Sequence, residues 1–141
     1  MSKQNDDTLA CEKKPIYKLA RENLNLAVQI SANFPKNYKY SLGKYVMDAA
    51  IKMCRQIFLI YNETETEPKL KRIKDLEIFI HDMLVLVRLS TELNHPQIHL
   101  CRQQVATIFK ILEQTKKWYN YIKTGQVKQI VQNDEKQCTE N

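Results

Sequence analysis

Apolar residues recur every three or four positions in four stretches, separated by proline-marked or strongly polar breaks, and this pattern confines the chain to long helices. The clearest break heads the segment 34–61, FPKNYKYSLGKYVMDAAIKMCRQIFLIY. Phe34-Pro35 stops one helix, because proline has no N–H and pushes the residue before it out of the α-region. A basic, aromatic linker follows in Lys36, Tyr38, Lys39 and Tyr40, and Ser41 offers an N-cap oxygen to the next helix.

Ile16, Leu19, Ala20, Leu24, Ala27, Ile30 and Phe34 predict a first helix over 15–33, with Pro15 in its first turn. Leu42, Val46, Ala49, Met53, Ile57 and Ile60 predict a second over 41–62. Met47, Ile51, Cys54, Phe58 and Tyr61 widen its apolar face until it needs neighbours on more than one side. After the acidic turn NETETE, Pro68 opens a third helix, 68–94, on Leu70, Ile73, Leu76, Ile80, Leu84 and Val87. Asn94-His95-Pro96 is short enough to force an antiparallel hairpin with a fourth helix over 97–124. Gly125 stands where a left-handed C-terminal cap belongs. The expected fold is an all-α, up-down antiparallel four-helix bundle over 15–125, with disordered polar tails at 1–14 and 126–141. Two glycines in 141 residues agree with this, since hairpins and nucleotide-binding loops consume glycine.

The net charge of +6 is uneven. Lys3, Lys13 and Lys14 balance Asp6, Asp7 and Glu12, and 129–141 carry Lys136 against Asp134, Glu135 and Glu140, so the middle of the chain holds +8. A basic folded part favours a polyanionic partner, nucleic acid or an acidic protein face, without choosing between them. Cys11, Cys54, Cys101 and Cys138 show no paired spacing, and the polar start MSKQNDDTLA is no signal peptide. Reduced thiols in a cytoplasmic protein are the expectation. The apolar run 83–87 is five residues, far short of a membrane span.

Catalytic and metal patterns are poorly represented. Glu92 and His95 form a single Glu-x-x-His pair, where a di-iron bundle needs two and further inward glutamates. His95, His99 and Cys101 lack a fourth ligand at zinc spacing. His81 lies beside the core stripe, and Asp75 and Asp82 face nearby cations as surface pairs do. No metal, no cofactor and no catalytic residue is expected, and a small di-metal or redox bundle enzyme is the reading this argues against.

Basic residues are the better lead. Lys69, Lys71, Arg72 and Lys74 crowd the start of the third helix, against its macrodipole; Glu63, Glu65 and Glu67 upstream offer an internal neutralisation. Lys36, Lys39, Lys44, Lys52 and Arg55 run along the elbow and the polar strip of the second helix. Tyr38, Tyr40 and Tyr45 interleave with them, suited to base stacking but more to interface packing. Lys110, Lys116, Lys117 and Lys123 line the fourth helix. Arg88, inside an apolar run, suggests a subunit contact or a channel-lining position. Phe58 and Trp118 join the three tyrosines as candidate oligomer-interface residues.

Phe34-Pro35-Lys36 followed by Tyr40-Ser41-Leu42-Gly43-Lys44 resembles the elbow of the accessory variability determinant (Avd) proteins of diversity-generating retroelements, four-helix bundles related in fold to proteins encoded by intervening sequences in 23S rRNA genes. The run from Met83 to Leu93 resembles that family's leucine-rich stretch ending in Arg-Leu, and Trp118 followed by Ile122-Lys123 resembles its terminal tryptophan. Where the family carries Gly-Gly before the tryptophan, this chain has Lys116-Lys117. The resemblance spans about 16–123. It implies a ring-like homopentamer without catalytic activity that binds the retroelement's reverse transcriptase and its template RNA or cDNA and supports mutagenic cDNA synthesis. Lys36, Lys39, Lys44, Lys52, Arg55 and Arg88 would then contact the polyanion or the polymerase. The alternative is an rRNA intervening-sequence protein acting on rRNA or the ribosome.

Overall fold

A computed structural model describes residues 10–93 and 97–140, with the side chains at 130, 133–134 and 136–140 outside that description. Among the described residues all regular structure is helical. Helix α1 spans Pro15–Ala32, α2 Lys36–Lys39, α3 Leu42–Asn62, α4 Thr66–Leu93 and α5 Ile98–Glu140. The packed pairs are α1 with α3, α3 with α4, α4 with α5 and α5 with α1, so the long helices close into a helical bundle. The Asn94-His95-Pro96 connector and residues 1–9 lie outside the described residues.

Helix α1 starts at Pro15, whose missing N–H costs nothing in a first turn. It buries Ile16, Ala20, Asn23, Leu26, Ala27 and Ile30. Its buried face is therefore turned slightly from the expected stripe: Asn23 and Leu26 are inside, while Leu19 and Leu24 are partly buried at the edge. Ahead of α1, residues 10–12 form a helical turn, and Cys11 is buried against the core. The folded part thus reaches into the segment expected as a tail.

The elbow is more ordered than a linker. Pro35 fixes the entry to α2, and its carbonyl accepts from the N–H groups of Tyr38 and Lys39 at 2.9 and 3.0 Å. Phe34 packs with Ile30 and Cys101 as a second small core. Gly43 lies against it; a methyl group there would sit 3.3 Å from the Phe34 ring. Ser41 takes the N-cap position of α3, but its hydroxyl donates backwards to the Tyr38 carbonyl at 3.4 Å. The expected side-chain cap is therefore absent, because that hydroxyl serves the preceding turn.

Helix α3 ends at Asn62, and α4 begins two residues before Pro68, which sits inside the first turn. Arg72 bridges the link through Glu63 at 3.3 Å, and Gln56 donates to the Arg72 carbonyl at 2.8 Å. The main core joins all four long helices through Ile16, Ala20 and Ala27 of α1, Val46, Met53, Ile57 and Ile60 of α3, Ile73, Leu76, Ile80 and Met83 of α4, and Ile108 and Ile111 of α5. Burying each of these side chains larger than alanine stabilises the fold by about 1.5–3 kcal/mol before entropy. One polar pair crosses it: Gln104 Nε2 donates to Asn23 Oδ1 at 3.0 Å, both residues fully buried.

Helix α5 departs most from expectation. It runs straight through Gly125, which has no positive φ and so caps nothing. The largely polar segment after it continues the helix, since Gln, Lys and Val carry no helix-breaking penalty. No helix among the described residues is long and apolar enough to cross a membrane.

Candidate nucleic-acid interface

The candidate residues fall into distinct places. Lys36 and Lys39 on α2 and Lys44 on α3 are exposed around the elbow, with Tyr38, Tyr40 and Tyr45 beside them at 37, 79 and 62 % exposure. Val28, Ser31, Lys39, Tyr40, Lys44 and Met47 line a shallow groove of about 360 Å³. Ser31 anchors its floor by donating to the Gly43 carbonyl at 3.2 Å. Gly43 lets α3 lie close to Phe34, Ser31 and the Tyr38 carbonyl at the foot of this groove.

Along α3, Lys44, Asp48 and Arg55 face outward, and Ile51, Phe58 and Leu59 stay exposed among them. The polar strip is therefore mixed with apolar side chains that packing on α1 and α4 leaves uncovered. Arg55 and Phe58 share a small groove with Tyr17 and Leu59. Lys52 leans away, its ammonium 4.1 Å from the Phe79 ring centroid, a cation–π contact between α3 and α4.

The four cations of α4 do not form one patch. Arg72 is held by Glu63, Lys74 pairs with Glu77 at 3.1 Å and lies 4.3 Å from the Tyr119 ring, Lys71 is exposed, and Lys69 turns into a cavity at the bundle end. Two of them are thus engaged within the chain, Arg72 by the acidic turn upstream and Lys74 by Glu77 on its own helix. On α5, Lys116 and Lys123 are exposed, while Lys117 pairs with Glu113 at 3.1 Å. Arg88 is exposed and lines a groove with Thr91, Glu92, Arg102 and Val105. Arg102 gave no signal in the sequence, because the next cation along its helix, Lys110, is more than two turns away and Arg102 meets Arg88 only in three dimensions. Trp118 is half-buried against the main core and lines the end cavity, so a large part of its surface is already used within the chain.

No described group of three His, Cys, Asp or Glu residues could hold a metal ion, and His95 lies outside the described residues. Cys54 and Cys101 are buried free thiols, as expected of small apolar residues, and Cys11 is a third. Burial pushes all three thiols above their ordinary value; the Arg21 charge opposes this at Cys54, and a Thr91 hydrogen bond opposes it at Cys101. Such thiols are poor nucleophiles, because the thiolate is the reactive form.

The fold and this surface define a helical bundle with an exposed basic and aromatic elbow. No family model matches the chain, and no curated protein or solved structure matches it either.

Proposed function

We propose that this chain is a non-catalytic accessory protein of the Avd type, which binds a reverse transcriptase and its template RNA or cDNA and supports mutagenic cDNA synthesis. Its bundle is taken to be up-down and antiparallel, and its copies to form a ring-like homopentamer in the cytoplasm. The supporting observation is the elbow. Lys36, Lys39, Lys44 and Arg55 are exposed, no ion pair holds them among the described residues, and exposed tyrosines lie between them. Cations that no carboxylate neutralises suit phosphates, and rings beside them suit bases or a protein partner. The exposed Ile51, Phe58 and Leu59 supply apolar surface for a subunit or polymerase contact.

Single-stranded RNA titrated at increasing salt tests the reading. Affinity falls steeply, and the double variant Lys39→Gln/Lys44→Gln lowers the slope of log affinity against log salt by about 1.4, at about 0.7 per phosphate contact. A flat salt response overturns the proposal. A gene for a reverse transcriptase beside this one, with paired template and variable repeats, supports the retroelement assignment; insertion inside an rRNA gene replaces it with the intervening-sequence reading.

A further inference from the structure

Where α1 and α4 begin and α3 ends, α5 continues past the end of the bundle and forms one wall of a half-open cavity of about 440 Å³. Half of the residues that line it are aromatic or cationic: Tyr61, Trp118 and Tyr121, and Lys14, Lys69 and Lys117. Buried Ile57 is among the apolar residues on the core side. Lys14 stands 5.9 Å from the Tyr61 ring centroid, so cation and aromatic face already share this space. Lys117 is paired with Glu113, but their side chains are 67 and 65 % exposed, and so open a pair exchanges readily for another anion. Helix α1 starts here with no capping side chain and no acidic residue in its first turn, which leaves its positive end unopposed.

We propose that this cavity binds one nucleotide unit, its base against Trp118 and the two tyrosines and its phosphate among Lys14, Lys69 and Lys117. The volume lies within the range of small-ligand sites, about 300–1,000 Å³. Inorganic phosphate would use the cations and leave the rings unoccupied. An apolar ligand would use the rings and leave Lys14 and Lys69 without an anion. A base joined to a phosphate uses both. The site is separate from the elbow, which lies at the other ends of α1 and α3, and it does not depend on the function proposed above.

Trp118 is the chain's single tryptophan, so its fluorescence reports on the cavity. The full chain is titrated with adenosine monophosphate, adenosine, ribose 5-phosphate, and oligoadenylate with and without a 5′-phosphate. Adenosine monophosphate or the phosphorylated strand quenches saturably, and adenosine and ribose 5-phosphate bind at least about tenfold more weakly. Tighter binding of the phosphorylated strand identifies a strand end as the source; equal or tighter binding of the mononucleotide identifies the free nucleotide. Lys69→Gln and the exposed-ring variant Tyr121→Ala each weaken the better ligand about tenfold with unchanged circular dichroism. Lys44→Gln at the elbow leaves this binding intact. Absence of saturable quenching overturns the proposal, as does adenosine binding as well as its phosphate, or normally folded Lys69→Gln binding as well as the parent. Loss of RNA binding in the elbow variants with nucleotide quenching intact keeps the two sites distinct.

Discussion

Asn23 and Gln104 are amides in a place where aliphatic side chains would pack. Gln104 Nε2 reaches Asn23 Oδ1, while Gln104 Oε1 is buried with no hydrogen-bond partner among the described residues. Removing one amide strands the other, so Asn23→Ala costs about 2 kcal/mol in urea unfolding. Combining it with the volume-conserving Gln104→Met costs less than the two single changes added together, because the unsatisfied partner is gone. The thiols make a second residue-level prediction. Their folded pKa values lie above the ordinary 9.0, so their contribution to stability is complete below that pH and is lost as pH rises past it, where the unfolded chain ionises first. The denaturation midpoint of the parent therefore drops from about pH 8 to about pH 10, and Cys54→Ala/Cys101→Ala flattens that drop.

Among the elements, the two glycines separate two kinds of constraint. A methyl group at Gly125 meets nothing within 4 Å, and the residue is helical, so Gly125→Ala stabilises α5 by about 0.8 kcal/mol and raises helicity by circular dichroism. Had the helix ended there on a left-handed residue, alanine would destabilise it. Gly43→Ala gains the same propensity but presses on Phe34, so it shows no comparable gain. The elements were largely legible before the structure. Pro15, Phe34-Pro35 and the apolar stripes place α1, α3 and α4 within about two residues of their observed ends, the usual scatter of helix boundaries. The end of α5 was not legible, because a polar helix leaves no periodic signal and glycine signals a stop only when its φ turns positive. The elbow cations could be read from spacing, and Glu63 stood close enough upstream to be read as a partner of the α4 cations, whereas the ring contacts of Lys74 and Lys52 depend on Tyr119 and Phe79, residues that folding brings to them. Lys14 and Tyr61 were missed as a pair for the same reason.

For the whole molecule, the uncovered apolar surface bears on assembly. Ile78 and Val85 are each 58 % exposed and Leu89 is 43 % exposed, seven and four residues apart on the outer side of α4. If copies associate through this stripe, Ile78→Lys/Val85→Lys lowers the mass measured by light scattering while helicity stays constant; an unchanged mass removes α4 from the interface. The length of α5 has another consequence. At about 1.5 Å per residue it extends about 64 Å, against about 27 Å for α1. Beyond Gln126, which still touches Glu67, its exposed Val127 and Val131 have no described partner helix. A free helix as short as 127–140 is marginal in water, so its amide hydrogens exchange with solvent through local opening, whereas those near Ile108 and Ile111 wait for the bundle to unfold. One unbroken helix therefore records both kinetic regimes along its length, and the residue at which slow exchange turns fast marks where the bundle's cooperativity ends.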